Sequence, residues 1–177
     1  MAELSWTEKL LLEGEMLIRI LLAALFSAAL GYEREKAGKP AGFRTHIIVG
    51  VASALFVIAG ILTVEERVLS GTMLQLDPTR TIHAIAVGVG FLGGGVVVVY
   101  KSSNRVQGLT TAASIWATAG VGAATGYGLY VLAVGTTGVL LIVLHQLGHL
   151  DISSDALEDR AEPDDESGHG GPGRHHG

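Results

Sequence analysis

From Ile82 to Tyr100 the chain runs for nineteen residues in which His83 and the Tyr100 phenol are the only ionisable groups. That length of helix is enough to cross a bilayer. Within it stand Gly88, Gly90, Gly93, Gly94 and Gly95. Each glycine inside a soluble helix costs about 1 kcal/mol against alanine, so such a cluster is a poor choice for an ordinary globular core. In lipid the same small residues let helix backbones approach closely, and Gly90 and Gly94 form a GxxxG pair. The helix also has a start signal, since Asp77 can cap its first N–H groups and Pro78 sits where a missing N–H is harmless. After the basic loop Lys101–Gln107 comes a second apolar segment, Leu109–Gly126. Its Ala112, Ala113, Ser114, Ala117, Thr118, Gly120, Gly122 and Gly126 make a small-residue face almost end to end. The two segments read as a central Gly-rich hairpin, packed through Gly88, Gly90, Gly93 and Gly94 on one side and Ala113 and Ala117 on the other.

The rest of the chain extends this pattern to an all-α, polytopic helical membrane protein with about five transmembrane helices. The expected spans are Met16–Tyr32, Phe43–Thr63, Pro78–Tyr100, Leu109–Gly126 and Leu129–Leu147, with Val64–Leu76 as a polar connection and Tyr127-Gly128 as a tight turn. The acidic, mixed segment before Met16 does not read as a secretory signal and places Trp6 at headgroup level. After Leu150 the composition changes. Residues 151–177 carry a charge of −6 out of the chain's net −5 and almost no apolar side chains, which predicts a disordered acidic, His/Gly-containing tail following a helical domain over 1–150. The remainder is close to neutral, so nothing favours nucleic acid as a partner. With the first loop in the cytoplasm, eight Lys and Arg lie inside and three outside, which predicts an N-terminus outside and a C-terminus in the cytoplasm.

The richest chemistry is the loop joining the first two spans. Glu33, Arg34, Glu35, Arg44 and Thr45 form a candidate polar cluster at the hydrocarbon boundary, where unpaired charges are expensive and a Glu33–Arg44 pair is expected. A topology anchor with a structural ion pair is the competing reading. Arg19, near the start of the first span, either snorkels to the interface or joins an ion pair. A second polar cluster, Asp77 and Arg80, lies at the opposite end; capping by Asp77 and an interfacial Arg80 is the favoured explanation for it. His145 and His149 have the i, i+4 spacing of a metal pair, but Gln146 stands where a zinc-protease motif needs Glu. With no cysteine, no ordered nucleophile–base pair and no phosphate loop, the sequence predicts no catalytic residues, no resident metal and no cofactor. The expected partners are the lipid bilayer, a membrane protein and a second copy of the chain.

Four spaced motifs carry a family resemblance. Gly31-Tyr32-Glu33-Arg34-Glu35, Ala41-Gly42-Phe43-Arg44-Thr45-His46, Gly88-Val89-Gly90-Phe91-Leu92-Gly93-Gly94-Gly95 and Gly108-Leu109-Thr110-Thr111-Ala112-Ala113-Ser114-Ile115-Trp116 resemble, in order, the MgtC/SapB family of bacterial inner-membrane proteins. The resemblance covers roughly residues 15–147. It implies a non-enzymatic regulatory role linked to magnesium limitation and survival inside host cells, exercised on a membrane partner such as the ATP synthase. The family's older name implies the alternative, transport of Mg²⁺ or another small ion. Many members carry a folded cytoplasmic domain where this chain has its acidic tail, so whatever resides in that domain does not carry over. Mid-membrane carboxylates, which a Mg²⁺ path would call for, are missing from the predicted spans.

Overall fold

Among the residues that the computed structural model describes, 5–69, 79–99 and 108–158, the chain is five α-helices with no strand. They are α1 (Trp6–Lys36), α2 (Phe43–Leu69), α3 (Thr79–Val99), α4 (Leu109–Gly126) and α5 (Tyr130–Glu158). Helix α4 has the predicted bounds. Helix α1 starts ten residues before the expected Met16 because Ser5 and Glu8 form a capping box: the Ser5 hydroxyl accepts from the Glu8 N–H, and the Glu8 carboxylate accepts from the Ser5 N–H. The Ser5 backbone N–H, and then its hydroxyl, hold the Glu8 carboxyl below its ordinary pKa. Helix α2 continues through Glu65, Glu66 and Arg67 to Leu69, so the connection expected from Val64 begins later. Helix α5 runs on to Glu158, past the expected boundary at Leu150; Ala156, Leu157 and Glu158 are good helix formers and continue it. The remainder of the predicted tail lies outside the described residues.

Two helices end in the same way. At the end of α1, Gly38 adopts φ 65°, its N–H bonds Glu35 O, and the Lys39 N–H bonds Arg34 O. At the end of α4, Gly128 adopts φ 79°, its N–H bonds Thr125 O, and the Leu129 N–H bonds Ala124 O. Both are Schellman motifs, in which only glycine takes the left-handed position without strain. They make the α1–α2 and α4–α5 connections short.

Among the described residues, helix α4 packs against all four other helices, whereas α3 touches only α2 and α4, and α5 only α1 and α4. The reason is its sequence. A helix of Ala, Gly, Ser and Thr presents its backbone to its neighbours. A Cβ added to Gly122 would lie 2.8 Å from Gly50 Cα and closer still to the Gly50 carbonyl oxygen; one added to Gly126 would lie 3.0 Å from Ala54 Cα. Helices α2 and α4 therefore cross backbone on backbone. The hydrogen that replaces a side chain on Gly122 points at Gly50 O, the arrangement of a Cα–H···O contact. On its other side Gly50 faces α1, where an added Cβ would collide with Ser27. Gly31 continues the α1–α2 contact against Phe43 Cα at 2.8 Å and His46 Cβ at 2.9 Å.

This geometry corrects the expected α3–α4 packing. A Cβ on Gly88, Gly90 or Gly94 would meet nothing within 4 Å, and only Gly93 faces α4, with Ala112 Cβ at 3.3 Å. Ala113 is exposed and Ala117 half-buried. The GxxxG pair thus points away from α4, and the close glycine crossing belongs to α2 and α4. The interior mixes aliphatic side chains such as Leu30, Val57, Ile115 and Val121 with hydroxyls: Ser27, Ser53, Thr111, Ser114, Thr118, Thr125 and Thr137 are buried, while Phe91, Val131 and Leu11 lie on the outside. Ser53, Thr118, Thr125 and Thr137 donate to the carbonyl four residues back, which satisfies each hydroxyl within its own helix. Among the described residues, two stretches are long and apolar enough to cross a membrane, Phe43–Val64 and Thr79–Val97; Tyr130–Gln146 is a shorter apolar helix.

The crossing predicts a contrast between two glycines. Gly122→Ala places a methyl against the α2 backbone and should destabilise the bundle by about 1–3 kcal/mol, the usual cost of overpacking. Gly94→Ala meets open space and should be neutral or stabilising by up to about 1 kcal/mol through helix propensity. Thermal unfolding in detergent checks both, and equal losses would show that the crossing is misplaced.

Candidate functional site

The α1–α2 connection concentrates the polar groups, but the predicted cluster divides into parts. Arg34 is 1% exposed, a full cation inside the bundle. Its Nε donates to the adjacent Glu33 carboxylate, and its Nη2 donates to Leu144 O on α5 at 2.9 Å. Glu33 keeps a small exposed fraction. The pair is therefore Glu33–Arg34, not the expected Glu33–Arg44. The physical reason is helix direction: both residues sit in the last turns of α1, and the Arg34 stem carries its guanidinium toward α5. Arg44 and Thr45 are exposed in the first turn of α2.

Glu35 has a separate task. Helix α2 has no acidic residue in its first turn, and its leading N–H groups need acceptors. Glu35 Oε2 accepts from the Phe43 N–H at 2.8 Å, reaching across the loop to cap the helix with a negative charge. Gly42 makes room for it, since a Cβ there would stand 2.9 Å from the same oxygen.

His46 is the residue that sequence reasoning left out of the cluster. It is completely buried. Its Nδ1 faces Gly42 O at 2.9 Å and its Nε2 faces Ser114 Oγ on α4 at 3.2 Å. A carbonyl oxygen only accepts, so Nδ1 carries a proton. Ser114 has one hydroxyl proton and two acceptors in reach, Nε2 and Thr111 O at 2.8 Å. With neutral imidazole it serves one of them at a time. The sequence carries no signal for this pairing, because the acceptor at Gly42 is a backbone carbonyl and Ser114 lies on another helix.

Arg19 closes the opposite end. Its guanidinium pairs with Glu15 and donates to Gly126 O at 3.0 Å. Gly126 is the last residue of α4, so a cation meets an unsatisfied carbonyl at the negative end of that helix. The ion pair was one of the two alternatives; its role as a cap for α4 was not legible. The second expected cluster is only partly described: Arg80 is exposed on the first turn of α3, and Asp77 lies outside the described residues. His145 is exposed, and the side chain of His149 lies outside the described residues. Among the described residues, His, Asp and Glu never gather in a group of three that could hold a metal ion.

The segment holding this cluster, the α2–α4 crossing and most of α5 falls within a family model that matches residues 20–151, described as the MgtC family. The chain belongs to the MgtC family. Its similarity to other MgtC-family proteins is substantial. It is 43% identical over 137 residues to the Escherichia coli K12 protein named "Putative magnesium transporter YhiD", covering 76% of this chain and 62% of that one. Protein SapB of Bacillus subtilis is 36% identical over 139 residues, 78% of this chain and 57% of SapB. Protein MgtC of Salmonella typhimurium is 31% identical over 134 residues, 76% of this chain and 53% of MgtC. The matched region thus spans roughly half to three-fifths of these relatives. No solved structure matches the chain.

The division of the cluster predicts different outcomes for its two arginines. Arg34→Ala leaves Glu33 without its counter-ion beside the bundle interior and should cost about 3–5 kcal/mol. Arg44→Ala removes an exposed cation and should change stability by no more than about 0.5 kcal/mol. Denaturant unfolding in micelles measures both, and a large loss for Arg44→Ala would contradict the assignment.

Proposed function

We propose that this MgtC-family chain is a multi-pass inner-membrane protein that acts by binding a membrane protein partner when magnesium is limiting, and that it is not an enzyme. The membrane reading draws on an apolar outer surface around an interior that also holds polar groups. Large apolar residues such as Phe91, Val131, Val87 and Ile142 face outward, and hydroxyls, small residues and Arg34 face inward. An outer surface of this kind suits lipid far better than water. The binding role is supported by the composition of the interior. At the α1–α2 end the buried ionisable groups are Arg34 and His46, and the hydroxyls between α2, α4 and α5 are bonded back to their own helices. A path for a hard divalent cation calls instead for carboxylate and carbonyl oxygens turned toward a shared channel.

The partner is a membrane complex such as the ATP synthase, and Arg44 and Thr45, exposed beside the buried Glu33–Arg34 pair, are the contact residues at the cytoplasmic face. The name of YhiD favours a second reading, transport of Mg²⁺ through the bundle. A strain lacking the gene, grown in limiting Mg²⁺, separates the two. Under the binding reading Arg44→Ala keeps its abundance yet loses complementation, cross-linked pull-down from native membranes recovers a membrane complex, and the purified chain in proteoliposomes moves no Mg²⁺. Saturable Mg²⁺ flux in proteoliposomes would favour transport. Full complementation by Arg44→Ala would remove that residue from the contact.

The orientation follows from the loop charges, with the N-terminus outside and the α1–α2 connection in the cytoplasm. A reporter fused after Leu150 should be active on the cytoplasmic side, and periplasmic activity would reverse the assignment.

A further inference from the structure

Helix α3 leaves a groove along α2. The two helices touch where Gly60 meets Thr81, with a Cβ on Gly60 standing 2.8 Å from the Thr81 hydroxyl. Along the rest of their shared length lies an open groove of about 720 Å³. Its floor is Val49, Ile85 and Val89, all buried and part of the main hydrophobic cluster. Ala84 and Gly88 keep its α3 wall low. Arg80 stands at the mouth in the first turn of α3, and among the described residues no carboxylate pairs with it.

We propose that this groove is a site for an anionic phospholipid, with one acyl chain between α2 and α3 and the phosphate at Arg80. The length fits. From Arg80 to Leu92, the far end of the α3 wall, a helix rises about 18 Å, close to the half-thickness of about 15 Å of a bilayer's hydrocarbon core. The chemistry fits along the same line: a cation at the interface end, then a mainly apolar trough in which the Ser53 hydroxyl is committed to Val49 O at 2.8 Å. A second helix would bury the trough but would meet Arg80, which has no carboxylate partner among the described residues, only if it carried an acid at the same depth. A phospholipid supplies both parts in one molecule, with a bidentate phosphate contact that suits arginine. The site makes use of the outward-facing Gly88, which the packing of the bundle leaves free.

The proposal rests on the membrane reading above, and the experiment separates the two. The full chain, extracted in mild detergent, is mixed with equal amounts of phosphatidylglycerol and phosphatidylcholine of matched chains, and retained lipid is counted by native mass spectrometry. The expected result is one retained lipid per chain with roughly fivefold preference for phosphatidylglycerol, the scale that a partly exposed charge pair supplies. Arg80→Gln should retain lipid with the preference gone. Gly88→Leu should lose both lipids while keeping its melting temperature, because its side chain enters the open trough from a position where a Cβ meets nothing within 4 Å. Equal retention of the two lipids by the wild type, unchanged retention by Gly88→Leu, or a lipid-free dimer closed over the groove would each overturn the site. A chain that fractionates with membranes but shows one of these results loses only the lipid site. A chain soluble without detergent loses the membrane reading and the site together.

Discussion

The bundle depends on the place where α2 and α4 cross with no side chain between them. Gly122 meets Gly50, and Gly126 meets Ala54, at distances that a methyl group would violate. Because Gly50 also faces Ser27, three helices share one point. With α4 fixed there, the other contacts follow: α3 reaches α4 through Gly93 and Ala112, and α1 and α5 close over the opposite side. In lipid, where burying apolar surface gives helices little reason to associate, close van der Waals approach of this kind supplies much of the drive.

The charged groups are arranged around that crossing. Arg34 ties the end of α1 to α5, and Arg19, near the middle of α1, ties it to the last carbonyl of α4. Each cation has a carboxylate within one helical turn, Glu33 for Arg34 and Glu15 for Arg19, so α1 carries its own counter-ions. His46 joins α2 to α4 through Ser114 just beyond Gly50. These contacts use charge and hydrogen bonding to fix helix register where small residues alone would let helices slide. They also leave Arg44 and Thr45 exposed beside the ordered α1–α2 connection.

Much of this was legible in the sequence, and the misses have physical causes. The bounds of α4 were readable because Gly108 and the Tyr127-Gly128 turn bracket a uniform small-residue segment. The start of α1 was missed because its first turns are polar and the Ser5–Glu8 capping box was not weighed. The glycine pairing was misread because small residues show that a helix can approach another closely but not which neighbour it meets. Gly88, Gly90, Gly93 and Gly94 drew attention by density, whereas the backbone contacts belong to Gly50 on α2 and to Gly122 and Gly126, a second GxxxG pair within the small-residue face of α4. The polar cluster was found but wrongly wired. Charge balance allowed Glu33 to pair with Arg44, and only the packing of α5 against α1 shows why Arg34 turns inward and takes Glu33 with it.

The central claim is tested by measuring which glycine backbones touch. In uniformly labelled chain reconstituted in bilayers, magic-angle-spinning NMR reports carbon pairs in close contact. The α2–α4 crossing predicts a cross-peak between the Cα carbons of Gly50 and Gly122, and none from Gly94 Cα to any residue of α4. A Gly94–α4 cross-peak with no Gly50–Gly122 contact would contradict the account and restore the glycine-rich hairpin as the centre of the bundle.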